Sequence, residues 1–181
     1  YGEKYDAKSG AVVVMNVKTG EVLALASYPD YNPARYSEEY SNDDTGKYIN
    51  RAINSANPPG STFKMVVATA ALATGTITPK TLINDTGVYP YGDSQACWYY
   101  RSYGIGHGYL NVTQALKYSC NYFFYDMGYK LGIDTIAEYA NKYGLGKRTG
   151  IELPLESSGT VATREYGEEL GNGWYISDTL S

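Results

Sequence analysis

Residues 61–74, STFKMVVATAALAT, place the strongest constraint on the fold, because almost all of them are small or apolar. The run follows Pro58–Gly60, where a proline disfavours a helical residue before it, and it ends at Gly75, a candidate C-terminal cap. The pattern therefore predicts a helix over residues 61–74. A helix that is apolar on every side is usually buried, so the charge of Lys64 within it requires an explanation.

Ser61 and Lys64 are one helical turn apart and share a face of the predicted helix. One interpretation is a nucleophile and its base: backbone N–H groups at the helix start stabilise an oxyanion, and burial lowers the pKa of Lys64 until the neutral amine can take the serine proton. The other is a capping serine followed by a lysine whose stem packs on the surface. The Ser-x-x-Lys pattern alone leaves both open.

Composition excludes several classes of function. The chain has 181 residues, 43% hydrophobic and 19% charged, which is typical of a globular domain with a real core. The net charge of -4 argues against a nucleic acid partner. No apolar run reaches the roughly 18 residues of a membrane span, and the sequence contains no signal peptide.

The remaining chain divides into recognisable segments. Two β-rich runs, residues 11–17 and 21–27, flank Lys18–Gly20 and predict a hairpin. Two strands alone make a marginal sheet, so we expect an α+β domain whose sheet is incomplete in this chain. The other predictions are loops with short helical pieces over 28–60, irregular structure over 76–110, a helical stretch over 111–132 interrupted near Ser119, and a helix over 134–144.

Ser119-Cys120-Asn121 is a second polar motif, at the interruption of that helical stretch. A serine hydroxyl there could relay a proton, and an asparagine amide could hold a substrate amide. The alternative is an ordinary helix boundary with Asn121 near a cap, because Ser and Asn are unfavourable inside helices. Ser55-Ala56-Asn57 has the same Ser-x-Asn pattern, which shows how weak the signal is by itself.

Taken together, these features resemble the transpeptidase domain of class B penicillin-binding proteins. Four segments that span most of the chain carry the resemblance, in the family's order: GAVVVMNVKTGEVLALASYPDYNP, RAINSANPPGSTFK, GHGYLNVTQALKYSCNYFFYDMG and TGIELPLESSG. The resemblance implies a β-lactamase/transpeptidase-like α+β fold, in which an antiparallel sheet packs with a helical middle that contains the nucleophile helix. Ser-x-x-Lys and Ser-x-Asn belong to the serine-acylation chemistry of that family.

The resemblance also implies roles for four residues. Ser61 would be the nucleophile, Lys64 its general base, Ser119 the group that passes a proton to the leaving amine, and Asn121 the ligand of the substrate backbone. The substrates would be peptidoglycan stem peptides ending in D-Ala-D-Ala, and β-lactams would acylate the same serine. No metal or cofactor is implied. The location would be the extracytoplasmic face of a bacterial membrane, with attachment through an N-terminal anchor that this sequence lacks.

One departure concerns the family's third motif, Lys-Thr/Ser-Gly, which lies on a strand after the helical middle. The sequence has this triplet only at Lys18–Gly20, before the nucleophile, where a hairpin turn is expected. Lys147–Gly150 is one residue too long. We therefore expect residues 1–181 to be the N-terminal portion of a single transpeptidase domain, with the third motif and the remaining strands, its C-terminal partner, after Ser181.

His107, Cys97 and Cys120 are the remaining candidates for chemistry. His107 is the single histidine, which excludes a His-rich metal site, and without a nucleophile-elbow serine we interpret it as structural. Cys97 and Cys120 lack metal-ligand spacing. Cys120 is expected to be a small buried residue, and a disulfide between the two is an alternative outside the cytoplasm.

Two other functions use the same Ser-x-x-Lys chemistry. A serine β-lactamase needs a base for deacylation, and the sequence has no Glu-x-x-Leu-Asn after the second motif, although a modified lysine could serve. A β-lactam-sensing receptor domain would stay acylated and signal through a membrane partner. A surface scaffold that has lost its activity is a third alternative, and the intact set of four residues argues against it.

Overall fold

A computed structural model of the protein describes residues 7–40, 45–91 and 95–171. The chain forms two compact units. One contains the residues up to 57 together with 148–158, and the other contains residues 58–147 together with those from 159 onward.

The first unit contains the predicted hairpin. Strands β1 (Gly10–Met15) and β2 (Val22–Tyr28) pair antiparallel, with an irregularity in the register between Val14 and Met15. The connection is longer than the sequence suggests and is closed by a hydrogen bond from Gly20 N to Asn16 O, with Gly20 at a φ of 79° that favours glycine. The hairpin is confirmed, and Lys18–Gly20 is part of its turn.

Short helices follow the hairpin, as predicted for residues 28–60. They are a 3₁₀ turn at Pro33–Arg35, α1 at Tyr36–Glu39 and α2 at Arg51–Asn54. Helix α2 packs on both strands. The Ser27 hydroxyl links its start to β2, because it donates to Ile49 O at 3.0 Å and accepts from Arg51 N at 3.2 Å.

The second unit is built around the helix predicted over residues 61–74. A 3₁₀ turn at Gly60–Phe63 leads directly into α3, Lys64–Ala73, so the prediction is confirmed except for its tighter first turn. One face of α3 is buried, but Met65 and Leu72 are 58% and 38% exposed. These two residues are seven positions apart and share a face. The expectation that the helix is buried on every side is therefore wrong for this face.

The prediction of irregular structure over residues 76–110 is wrong in part. Strands β3 (Ile83–Asp85) and β4 (Gly108–Leu110) pair antiparallel, and α4 (Trp98–Tyr103) lies between them in sequence. A three-residue strand is too short to show alternation, and its partner lies some 25 positions away. Local sequence patterns therefore could not reveal this small sheet.

Two further helices flank Ser119, as the interrupted pattern predicted. Helix α5 (Val112–Lys117) begins with a capping box, and α6 (Asn121–Lys142) follows after three residues. The separate helix predicted over 134–144 continues from α6 across Gly132, whose φ of 71° and ψ of 164° interrupt the helix. Helix α7, Arg164–Glu169, is capped by Thr163.

The core of the second unit lies where α3 packs on α6. Small residues on α3 allow this approach, since Ala70 and Ala71 have no exposed surface. Among the described helices, none combines the length and apolarity that crossing a membrane requires. The cluster of buried residues consists of Val67, Ala68, Ala71, Ile77, Cys97, Leu110, Val112, Ala115, Cys120, Phe123, Phe124 and Met127.

Candidate active site

The four residues singled out in the sequence meet in the second unit. Ser61 Oγ lies 3.0 Å from Ser119 Oγ. Lys64 Nζ lies 2.9 Å from Ser119 O, 3.0 Å from Ser119 Oγ and 2.6 Å from Asn121 Oδ1. Residues almost sixty positions apart therefore form one hydrogen-bonded network.

Two adjoining helix starts position this network. Ser61 lies in the 3₁₀ turn before α3 and Lys64 is the first residue of α3, whereas Asn121 is the first residue of α6. Ser119 has a φ of 50°, which is uncommon for a residue other than glycine. This conformation ends α5, starts a new helix axis after Cys120, and leaves Ser119 O free to accept from Lys64.

Ser61 is not a helix cap in this structure. The N-cap positions of the 3₁₀ turn and of α3 are Pro59 and Phe63, and the hydroxyl of Ser61 instead contacts Ser119. The side chain of Lys64 is not a solvated stem either, because its amine has partners in a half-buried environment. The capping interpretation of this motif therefore fails on both residues.

Burial governs the electrostatics of Lys64. Desolvation lowers the pKa of Lys64 below the ordinary lysine value, and the nearby Cys120 and Cys97 oppose the shift without reversing it. The centroid of the Phe124 ring lies 5.6 Å from Nζ. A lowered pKa increases the fraction of neutral amine, the form that can accept a proton.

The network can carry a proton from Ser61 to Lys64. Lys64 Nζ donates to Ser119 O, Ser119 Oγ and Asn121 Oδ1, and the Ser119 hydroxyl donates to Ser61 Oγ. A neutral amine has only two N–H groups, which match Ser119 O and Asn121 Oδ1, and one lone pair. With a neutral amine and rotated hydroxyls, the same contacts let Ser61 donate to Ser119 and Ser119 donate to Lys64. Ser119 thus lies between Ser61 and Lys64, a connection that the sequence alone did not specify.

Comparison with known proteins identifies the family of this chain. The family model described as the penicillin binding protein transpeptidase domain matches residues 10–179. The chain belongs to this transpeptidase family. It is 41% identical over 180 residues to the peptidoglycan D,D-transpeptidase MrdA of Escherichia coli K12, covering 94% of this chain and 28% of that protein. The chain therefore spans less than a third of the length of this relative.

Solved structures of the family have the same fold. The penicillin-binding protein PBP2 of Helicobacter pylori superposes with a TM-score of 0.86 at 29% identity, covering 99% of this chain and 35% of that one. Pseudomonas aeruginosa PBP2, in complex with WCK 5153, superposes with a TM-score of 0.84 at 29% identity, and the match covers 98% of this chain and 42% of that one. The β-lactamase/transpeptidase-like α+β fold expected from the sequence is confirmed.

A second polar group lies next to this candidate site, in the core behind Ser119. Asp85, Cys97, His107 and Cys120 each direct one ligand atom to a common point, and these atoms lie within 4.8 Å of one another. Cys97 and Cys120 are fully buried, as expected for Cys120, and both are free thiols, so the disulfide alternative does not hold here. His107 is also buried, and its Nδ1 lies 2.7 Å from Asp85 Oδ2; its structural role stays a prediction.

Hydrogen bonds and burial shift the pKa values of three groups in this cluster. Burial raises the pKa of Asp85, but bonds from His107, Gly87 and Cys120 outweigh it, so that the pKa is lowered overall. The His107 Nδ1 and Asp85 Oδ2 atoms are 2.7 Å apart. The neighbouring Cys120 side chain lowers the pKa of Cys97 to about 5, while the same pairing raises the pKa of Cys120. Cys97 is therefore the thiol that ionises first.

Among the residues that the structure describes, these four side chains form the group that could hold a metal ion. Two sulfurs, one imidazole and one carboxylate match the ligands that Zn²⁺ takes in four-coordinate sites. Sequence reasoning missed the group, because its members are spaced 12, 10 and 13 positions apart and form no motif. The two cysteines stand out in the sequence, but only the pairing of β3 with β4 brings Asp85 and His107 close to them.

The cluster leads to a prediction about metal removal. We expect the full-length protein to purify with about one zinc per chain, and chelation to lower the melting temperature by roughly 5–10 °C, since saturating a site at a hundred times its Kd stabilises by about 2.7 kcal/mol. Elemental analysis and thermal melts measure both quantities. Asp85→Asn should lower the zinc content, and Asp134→Asn, at an exposed position of α6, should not. Metal-free protein with an unchanged melting curve after chelation would contradict the prediction.

Proposed function

We propose that this chain is the nucleophile-bearing part of a peptidoglycan D,D-transpeptidase, which crosslinks cell-wall stem peptides through a serine acyl-enzyme. The observation that carries the proposal is the continuous network from Ser61 through Ser119 to Lys64, with Asn121 at its edge. The name of the Escherichia coli relative, a peptidoglycan D,D-transpeptidase, supports the same reaction.

The proposed acylation step uses each member of the network. Ser61 Oγ attacks the carbonyl carbon of the penultimate D-Ala, and its proton passes through Ser119 to the neutral amine of Lys64. The backbone N–H of Ser61 donates to the oxyanion, and the amide group of Asn121 holds the substrate backbone. The peptide C–N bond then breaks, the terminal D-Ala leaves with a proton returned through Ser119, and the penultimate residue remains as an ester of Ser61.

Transfer completes the proposed reaction. The amine of a neighbouring stem peptide attacks the ester carbonyl, a new amide forms, and Ser61 regains its proton. A β-lactam ring offers the same serine a carbonyl whose leaving amine stays tethered, which makes the adduct long-lived. Such substrates imply a reaction on the extracytoplasmic side of a bacterial membrane, where cell wall is assembled.

The experiment is a product analysis with the full-length protein. A peptide ending in D-Ala-D-Ala should release D-Ala and, with an added amine acceptor, should give the transfer product. Nitrocefin should form a stoichiometric adduct without rapid turnover. Fast nitrocefin hydrolysis would instead support a serine β-lactamase, and a stable adduct without D-Ala release would support a β-lactam-sensing receptor.

A further inference from the structure

Ser119 occupies a backbone position that normally belongs to glycine. Helix α5 ends in a Schellman motif, in which Ser119 N donates to Leu116 O at 3.1 Å and Cys120 N donates to Ala115 O at 2.9 Å. The residue that follows the C-cap in this motif takes a left-handed conformation, and Ser119 has the φ of 50° that this requires. Glycine is usual at such a position, because a side chain there is strained.

The conformation of Ser119 decides whether the candidate active site is connected. It lets two atoms of one residue reach Lys64 Nζ, with Ser119 O at 2.9 Å and Ser119 Oγ at 3.0 Å. Ser119 Oγ also lies 3.0 Å from Ser61 Oγ. A strained residue keeps its conformation only where the surrounding structure holds it. A contact that holds the backbone at Ser119 therefore acts on the whole network.

Trp98 supplies a long-range contact of this kind. Its indole Nε1 donates to Tyr118 O at 3.1 Å, and Tyr118 is the residue immediately before Ser119. The Tyr118 carbonyl and the Ser119 N–H belong to one rigid peptide plane. Trp98 holds one side of this plane, and the bond from Ser119 N to Leu116 O holds the other. Rotation of the plane, which would change the φ of Ser119, breaks both bonds.

Neighbouring rings keep the Trp98 indole in place. Its centroid lies 5.5 Å from that of Tyr99 and 5.7 Å from that of His107, both in edge-to-face arrangements. His107 is fixed in turn by Asp85, with 2.7 Å between Nδ1 and Oδ2. Trp98 is the first residue of α4, so it ties a separate element of the second unit to the end of α5. Local sequence patterns do not reveal this link, because Trp98 and Tyr118 are 20 positions apart.

We propose that Trp98 is a positioning residue for Ser119 in the acylation reaction. The indole N–H holds the Tyr118–Ser119 peptide plane, and the plane keeps Ser119 in its left-handed conformation. That conformation keeps the Ser119 hydroxyl between Ser61 and Lys64. In this role Trp98 acts without touching a reacting group, so its effect passes through Ser119. This inference rests on the proposed transpeptidase function, in which Ser119 carries the proton.

The test is the rate at which a fluorescent penicillin acylates the full-length protein. Trp98→Phe keeps an aromatic ring but has no N–H, so the maximal acylation rate should fall about three- to tenfold, as for the loss of one hydrogen bond. The half-saturating penicillin concentration should change less than about twofold, because the lost contact serves the proton transfer and not binding. Trp98→Leu, which also lacks a donor, should give the same result. Timed labelling measures both quantities, and melting curves check the fold.

A double-mutant cycle distinguishes positioning from a general loss of structure. In a Ser119→Ala background, Trp98→Phe should slow acylation less than about twofold, because the hydroxyl that Trp98 positions is gone. A change that weakened the domain as a whole would slow acylation equally in both backgrounds. Tyr103→Leu is the matched control, since it removes an exposed ring from the same helix and should leave the rate unchanged.

Two results would overturn the assignment of Trp98. One is an unchanged maximal rate in folded Trp98→Phe and Trp98→Leu proteins, and the other is an equal loss of rate in the Ser119→Ala background. Absence of any acyl-enzyme on Ser61 in the wild-type protein would overturn the transpeptidase function instead. That outcome is read from the wild-type labelling alone and does not depend on any Trp98 variant.

Discussion

Ser61→Ala in the full-length protein is expected to abolish labelling by a fluorescent penicillin. The reason is that Ser61 Oγ is the hydroxyl at the end of the network, 3.0 Å from Ser119 Oγ, and alanine leaves no atom to form the ester. Loss of a catalytic nucleophile in comparable acyl-transfer enzymes costs about 10⁶ in rate. Labelling is measured on a denaturing gel after incubation with the penicillin.

Ser55→Ala is the matched control for this experiment. Ser55 begins the other Ser-x-Asn sequence, Ser55-Ala56-Asn57, and is exposed in the first unit. Its replacement should therefore leave labelling at the wild-type level. Peptide mapping of the wild-type adduct should place the label on Ser61. Labelling that persists in Ser61→Ala, or that maps to Ser119 or Cys120, would refute the assignment of Ser61 as the nucleophile.

Lys64→Arg is expected to slow acylation by about 10²–10⁴-fold while the protein remains folded, the range for loss of a general base. Arginine keeps the positive charge but its guanidinium does not deprotonate, so no lone pair can accept from Ser119. Acylation rates come from timed labelling, and circular dichroism checks the fold. Lys130→Arg, at an exposed position of α6, should acylate normally. Near-normal acylation in a folded Lys64→Arg protein would show that Lys64 is a structural group and not the general base.

The pH dependence of acylation tests the same residue independently. Burial disfavours the charged amine and lowers the pKa of Lys64, so the rate should rise with pH as the neutral form appears. The midpoint of this rise should lie below the ordinary lysine pKa of about 10.4. A rate that falls as the pH rises through this range would show that the ammonium is the active form.

Local patterns along the chain account for much of the fold. The apolar run predicted α3, the glycine-containing turn predicted the hairpin, and the unfavourable Ser and Asn predicted the break before α6. Each of these depends on residues close in sequence, whose backbone preferences and periodicity act over a few positions. The short strands β3 and β4 could not be predicted from local patterns, because long-range pairing stabilises them.

The sequence by itself determined which side chains could perform acyl transfer: Ser61 and Lys64 share one helical turn, and Ser119 and Asn121 mark a helix boundary. Only the tertiary structure decided that these pairs meet, that Ser119 lies between Ser61 and Lys64, and that Lys64 is desolvated. It also brought Asp85 and His107 to two cysteines that the sequence left unassigned. The physical reason is that spacing along a helix follows from backbone geometry, whereas contacts between helices depend on how α3 and α6 pack.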